Sequence, residues 1–149
     1  MMKVASHPIT PKLVDSLYTE AMLLADEARS YFDSDRARCI TPVAASVAFS
    51  CESLKVTTRL MHVIAWLLNQ KAIRAGEIAI EDIASLEQIG YAPATDTYWL
   101  NDLPIEACTL ILASEDLYYR VQRMSESIMR QPTMMPEPLV MMERIRAAF

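Results

Sequence analysis

The sequence predicts an all-α fold: a three-helix bundle with a long central helix, a short extra helix and a short C-terminal helix or tail. More than half of the 149 residues are apolar, so one domain spanning the chain can bury a real core. Only two residues are glycine, which argues against a β fold rich in turns. The apolar residues recur at helical spacing along three long segments, and no coherent alternating β pattern interrupts them.

The first long segment predicts a helix from about Pro11 to Asp33. Thr10 is the candidate N-cap, and proline suits the first helical position. One apolar stripe follows spacings of three and four residues, which is typical of a helix packed along one side: Val14, Leu17, Ala21, Leu24, Ala28 and Tyr31. We expect residues 1–10 to be a flexible leader and the segment from Asp33 to Ile40 to be a polar loop.

The second segment, Thr41–Gly76, is predicted to be one uninterrupted central helix. Thr41 can act as its N-cap and Pro42 as its first residue. Gly76 fits the position just after the end, where glycine is favoured. At about 1.5 Å per residue such a helix would extend roughly 50 Å.

Three stripes of side chains run along the central helix. The seam stripe alternates between spacings of four and three residues and is predicted to be the bundle seam: Val47, Cys51, Leu54, Thr58, Met61, Ala65, Leu68 and Ala72. The second stripe is also apolar: Val56, Leu60, Val63 and Leu67. The polar stripe starts charged and ends in a large aromatic: Glu52, Lys55, Arg59, His62, Trp66 and Asn69. Two apolar stripes predict packing partners on two sides of this helix.

The remaining chain alternates between turns and helices. Ile78–Ile89 predicts a short acidic helix that stops at Gly90, and Tyr91–Leu103 predicts a loop. Pro104 begins the third long helix, which is predicted to continue to about Arg130 with this seam: Leu110, Ser114, Leu117, Val121, Met124 and Ile128.

Residues 131–149 are predicted to be a proline hinge followed by a terminal segment. Three prolines between Gln131 and Pro138 end the third helix. The final residues have the spacing of a short amphipathic helix, whose apolar side presents Leu139, Met142, Ile145 and Phe149. Such a helix either docks on the bundle or serves as a mobile recognition segment.

Charge and cysteine usage restrict the class of protein. The net charge of −5 argues against nonspecific nucleic-acid binding. Nine acidic residues and no lysine or arginine lie between Ala75 and Tyr119; this region is a solvated acidic face or a surface that steers a partner. An odd cysteine count, no signal peptide and an apolar run, Leu60–Leu68, too short to cross a membrane predict a reduced, cytoplasmic protein.

The sequence gives little support for catalysis, a metal site or a cofactor. The two histidines and three cysteines have no metal-ligand spacing, and two glycines cannot form a phosphate-binding loop. The best polar group is Glu52, Lys55, Arg59 and His62, which are neighbours on one helix. It is either a recognition patch or, the interpretation that we favour, a solvent face. An enzyme or ligand-binding bundle would need Glu52, Arg59 and His62 to converge on a pocket.

Tyr98 and Trp99 are the other candidates for protein binding, because aromatic residues on loops are typical anchors for a partner. The alternative, which we slightly favour, is that they fold back and cover one end of the bundle. The candidate protein-binding residues are therefore Glu52, Lys55, Arg59, His62, Trp66, Tyr98, Trp99, Met142 and Phe149.

The segment Thr57–Ile78, TTRLMHVIAWLLNQKAIRAGEI, resembles the signature of the DUF1465 family of alphaproteobacterial proteins, the family of the regulator of CtrA degradation, RcdA. The Leu103–Pro104 pair and the closing ERIRAAF of Glu143–Phe149 are similar to other marks of this family. The resemblance covers most of the chain from Val14 onward and is densest in the central helix.

The resemblance implies a small bundle of three main helices that forms a homodimer and has no enzymatic activity. It also implies an adaptor for the ClpXP protease, with three kinds of partner: the ClpX unfoldase, a receiver-domain priming factor and protein cargo such as cell-cycle regulators. The family has no catalytic motif to transfer. The alternative is a generic dimeric helical interaction or scaffold protein with other regulatory partners.

Overall fold

The first long helix, α1, spans Pro11–Phe32 of a computed structural model that describes residues 10–33, 39–130 and 145–148. Its start is as predicted: the Thr10 side-chain oxygen accepts a hydrogen bond from the Leu13 N–H at 3.2 Å. This bond satisfies one of the free N–H groups of the first turn. The predicted stripe faces the core, with Leu24 half-buried and the other five residues buried.

Helix α2 spans Val43–Arg74 and is the longest element. It begins one residue later than predicted, because Pro42 has an extended backbone and acts as the N-cap after a cis Thr41–Pro42 peptide bond. Its end confirms the expected role of Gly76, which adopts a φ of +71°. The N–H groups of Gly76 and Glu77 bond back to the carbonyls of Ile73 and Ala72 at 3.1 and 3.0 Å, which is a Schellman motif.

The connection after α2 contains two short helices. Helix α3, Ile80–Leu86, is shorter than predicted and lacks a side-chain N-cap bond. A 3₁₀ helix, Thr97–Asp102, lies inside the stretch predicted as a loop. The third long helix, α4, spans Ile105–Arg130, close to the predicted bounds.

Helix α4 runs parallel to α2 and antiparallel to α1. Lys71 of α2 pairs with Asp15 of α1 at 3.1 Å, so the end of α2 lies beside the start of α1. That same end of the bundle holds a cavity of about 360 Å³, which Ile128 of α4 lines together with Ile73 of α2. The chain between α2 and α4 must therefore return along the side of the bundle before α4 can begin.

The core lies between α1, α2 and α4. All four residues of the predicted second stripe of α2 are buried, and Leu110, Ser114, Leu117 and Val121 of the α4 seam are buried as well. Met124 and Ile128 are half-buried. Tyr31 and Phe32 of α1 pack against Phe49 with ring centroids 6.1 and 5.2 Å apart. These contacts close the end of the bundle at which α1 leads into α2.

The predicted role of the seam stripe is wrong within this chain. Its largest residues are exposed: Val47 by 58%, Leu54 by 69%, Met61 by 59% and Leu68 by 45%. The reason is that α1 packs on the second stripe, whereas α4 and the returning connection occupy the side of the polar stripe. No helix in the described part of the chain remains to cover the seam stripe.

The terminal segment is described only at residues 145–148, which form one exposed helical turn. Ile145 is exposed there; the predicted hinge at residues 131–138, Met142 and Phe149 lie outside the described residues, as do residues 1–9. Among the described helices, none is both long and apolar enough to span a bilayer.

Candidate functional site

The polar stripe of α2 lies inside the fold, so the interpretation of it as a solvent face is wrong. Glu52, Arg59 and Trp66 are only 1, 1 and 2% exposed. They face residues 87–96, which we call the return segment because it carries the chain back along α2. A segment of irregular backbone cannot be buried unless its N–H and C=O groups have hydrogen-bond partners. The side chains of the polar stripe are such partners for the return segment.

Arg59 is the centre of this arrangement. Its guanidinium donates to the Pro93 carbonyl at 3.1 Å and to the Thr95 hydroxyl at 2.7 Å. It also donates to the Ser114 hydroxyl of α4 at 3.1 Å and lies 3.6 Å from a carboxylate oxygen of Glu115. One side chain therefore joins α2, α4 and the return segment.

Burial has the largest effect on the pKa of Arg59 and lowers it from its ordinary value, while the nearby Glu115 and Glu52 carboxylates act in the opposite direction. A guanidinium starts from so high a pKa that it keeps its charge in proteins. Arg59 is thus a buried cation that is stabilised by charge-assisted hydrogen bonds.

Glu52 fixes the C-terminal end of the return segment. Its Oε1 atom accepts hydrogen bonds from the Asp96 backbone N–H and from Lys55 Nζ, both at 3.0 Å. Its Oε2 atom is buried and has no partner in the described part of the chain. Lys55 is half-buried beside it, so this predicted site residue neutralises the Glu52 carboxylate.

Trp66 and Tyr118 fix the N-terminal part of the return segment. The Trp66 Nε1–H donates to the Glu87 carbonyl at 2.8 Å. The Tyr118 hydroxyl donates to the Gly90 carbonyl at 2.8 Å and accepts from the Ala92 N–H at 3.2 Å. Burial raises the pKa of Tyr118, which keeps the phenol protonated and able to donate and accept at once.

His62 lies under Gly90 rather than in a polar cluster. A Cβ atom built on Gly90 would lie 3.0 Å from the Cγ, Nδ1 and Cε1 atoms of the imidazole ring. The Nδ1 atom of His62 is buried without a partner among the described residues. Gly90 is therefore needed for the close approach of the backbone to this ring.

We expect Gly90→Ala to lower the free energy of unfolding by about 1–3 kcal/mol, because the added methyl group overpacks the contact with the His62 ring. Urea denaturation measures this loss. In a His62→Ala background the same substitution should cost much less, since the ring is gone. Equal losses in both backgrounds would show that the two residues do not interact.

The polar side chains of this cluster hold the backbone of the return segment in place. Arg59 donates its hydrogen bonds to Ser114, Pro93 and Thr95, and neither the cavity of about 360 Å³ nor a groove of about 550 Å³ between α1 and α2 is lined by the polar stripe. Within residues 10–33, 39–130 and 145–148, no group of three or more His, Cys, Asp or Glu residues has the geometry of a metal site. Glu52 and Arg59 therefore bind the return segment, and His62 packs against Gly90.

The 3₁₀ helix presents an exposed aromatic residue, so the prediction that Tyr98 covers one end of the bundle is wrong. Tyr98 is 75% exposed, and Trp99, half-buried, meets it edge to face with ring centroids 4.9 Å apart. The Cys108 thiol of α4 donates to the Leu100 carbonyl at 3.1 Å. Burial raises the pKa of Cys108, consistent with a structural thiol.

A groove between α1 and α2 continues the exposed seam stripe. Its volume is about 550 Å³, and most of its lining is apolar, including Ala25, Phe32, Leu60 and Ile64. Leu54 and Met61 of the seam stripe belong to the same lining. The groove and the stripe together form one long apolar surface along one side of the molecule.

Two comparisons identify similar proteins. A family model described as "Protein of unknown function (DUF1465)" matches residues 5–149. The crystal structure of RcdA from Caulobacter crescentus CB15 matches with a TM-score of 0.66 and 28% sequence identity. That match covers 86% of this chain and 98% of the RcdA chain. A search of curated proteins finds no match.

Proposed function

Because the chain belongs to the DUF1465 family, we propose that it is a non-enzymatic adaptor that delivers protein cargo, such as cell-cycle regulators, to the ClpXP protease. The observation that carries this proposal is the similarity to RcdA over nearly the whole of that chain. Its partners would be the ClpX unfoldase, a receiver-domain priming factor and the cargo, and it would act in the cytoplasm.

The use of polar side chains inside the fold supports a binding role over a catalytic one. Arg59 and Glu52, the strongest candidates for chemistry in the sequence, are occupied in fixing the return segment. The large surfaces that remain available are apolar: the seam stripe and the groove beside it. Exposed apolar patches of this kind mark protein–protein contact sites.

We propose that the seam stripe joins two copies of the chain in a homodimer. Its spacing of four and three residues is the pattern by which long helices interlock, and it extends over residues 47–72, or about 37 Å at 1.5 Å per residue. Two identical stripes can meet across a twofold axis, because each copy offers the same self-complementary surface.

Leu68→Asp should convert the dimer to monomer without unfolding the protein. Leu68 is 45% exposed, so aspartate there stays hydrated in the monomer but places two charges in the apolar dimer contact. Sedimentation velocity at micromolar concentration measures the change. The matched control is Leu112→Asp on α4, where the leucine is 52% exposed and lies outside the stripe; it should leave the dimer intact. A native protein that sediments as a monomer would contradict the dimer.

Affinity purification of the chain from its own cell, followed by mass spectrometry, tests the adaptor proposal. We expect the ClpX unfoldase, a receiver-domain protein or a protease substrate among the recovered proteins. Recovery of other regulatory partners only would favour the generic scaffold. Recovery of none of the expected classes would count against the adaptor role.

A further inference from the structure

One surface outside the seam stripe combines exposed apolar side chains with uncompensated acidic groups. It lies where the 3₁₀ helix leads into α4 and consists of Tyr98, Trp99, Asp102, Ile105 and Glu106, which we call the aromatic–acidic face. Tyr98 is 75% and Ile105 77% exposed. Large side chains of this kind are costly to leave in water, and tyrosine is among the residues enriched at binding hot spots.

The aromatic–acidic face is preorganised. Asp96 caps the 3₁₀ helix by accepting from the Tyr98 N–H at 3.1 Å, and the Asp96 N–H is itself bound to buried Glu52 at 3.0 Å. On the other side, the Leu100 carbonyl accepts from the Cys108 thiol of α4. Because both sides are fixed to long helices, a partner would not have to order this surface on binding.

The charge of this face selects the partner. Asp102 and Glu106 are exposed, and neither forms an ion pair within the described part of the chain. No lysine or arginine lies between Ala75 and Tyr119, so residues close in sequence do not neutralise these two carboxylates. The negative electrostatic potential of an acidic surface repels nucleic acid and anionic lipid and attracts cationic groups.

We propose that the aromatic–acidic face binds a short basic peptide segment of a partner protein. An apolar residue of the segment packs against Tyr98 and Ile105, and lysine or arginine residues beside it pair with Asp102 and Glu106. Apolar anchors supply the affinity, while the acidic rim supplies the charge selection and a fast encounter. This proposal rests on the proposed adaptor function, because it names one class of partner for the adaptor.

Selection from a random 12-residue peptide library displayed on phage, with the full chain as target, tests this assignment. We expect enriched peptides to be net positive and to contain an apolar residue among the basic ones. Fluorescence polarisation then measures the dissociation constant of an enriched peptide. Tyr98→Ala, and separately the double variant Asp102→Lys/Glu106→Lys, should each weaken binding by about tenfold or more, as loss of a hot spot does.

The matched control is Glu81→Lys/Asp82→Lys on α3, which changes the net charge equally but lies outside the face; binding should change by less than about threefold, as expected for a screened surface charge. Thermal melts check that all variants fold. Failure to enrich basic peptides, or equal losses in control and face variants, would overturn the assignment. The selection contains no protease or cargo, so its failure is distinct from failure of the adaptor role.

Discussion

Arg59→Met should lower the free energy of unfolding by about 3–5 kcal/mol, the range for removing one partner of a buried ion pair. The substitution keeps an unbranched apolar stem but removes the donors to Pro93, Thr95 and Ser114. It also leaves the Glu115 carboxylate without its cation. For a chain of this size, the loss corresponds to a fall in the melting temperature of roughly 10 °C. Urea denaturation and thermal melting measure both quantities.

Two further variants identify the cause of that loss. Arg29→Met removes an exposed cation that pairs with the exposed Asp26 of α1 at 3.3 Å and should cost about 1 kcal/mol or less, as exposed pairs do. Glu115→Gln in the Arg59→Met background should recover part of the stability, because a neutral amide still accepts from the Thr95 N–H without leaving a charge buried. If Arg59→Met cost no more than Arg29→Met, the buried position of Arg59 would be contradicted.

Leu67→Asp should abolish the cooperative unfolding transition altogether. Leu67 is 0% exposed in the second stripe, so the substitution removes a packed side chain and buries an unpaired carboxylate. The combined cost exceeds about 5 kcal/mol, which approaches the whole stability of a typical domain. Far-UV circular dichroism during heating measures this, and we expect the same outcome for Leu60→Asp, which is 3% exposed.

The neighbouring substitution Leu68→Asp provides the control. It makes the same chemical change one residue further along α2, where the leucine is exposed, and the monomer should melt cooperatively. A native-like melt for Leu67→Asp, or an unfolded Leu68→Asp protein, would show that the two stripes are assigned to the wrong sides of α2.

The long helices and their burial were predictable because local signals agreed with the global packing. Thr10 caps α1 as expected, and Gly76 ends α2 in the conformation that favours glycine. The second stripe of α2 and most of the α4 seam are buried as their spacing predicts. The all-α prediction is confirmed.

The prediction of which sides of α2 are buried was wrong for two stripes, because periodicity does not show which element packs against a given stripe. The seam stripe has the better spacing, but the polar stripe is the one enclosed, since the return segment needs side-chain partners for its backbone groups. The sequence contains a weak signal of this: Ser114 interrupts the apolar seam of α4, and it accepts a hydrogen bond from Arg59. Thr95, Glu115 and Tyr118 were missed because nothing in their local sequence distinguishes them from surface residues.

The surfaces proposed for binding could be inferred only in part. The sequence singles out Tyr98 as an aromatic residue on a connection, but its exposure depends on the Asp96 cap and on Cys108 fixing the 3₁₀ helix. The exposure of the seam stripe follows from the direction of α4, which is set by the length and path of the return segment. Both properties are tertiary, and no local pattern encodes them.

Reconstituted degradation is the most direct test of the adaptor role. Purified ClpXP, a receiver-domain factor and a cargo recovered with the chain are combined, and the rate of cargo loss is followed with and without this protein. We expect degradation to accelerate as the chain is added and to saturate with its concentration. An unchanged rate at saturating chain, with all components active on a control substrate, would contradict the adaptor function.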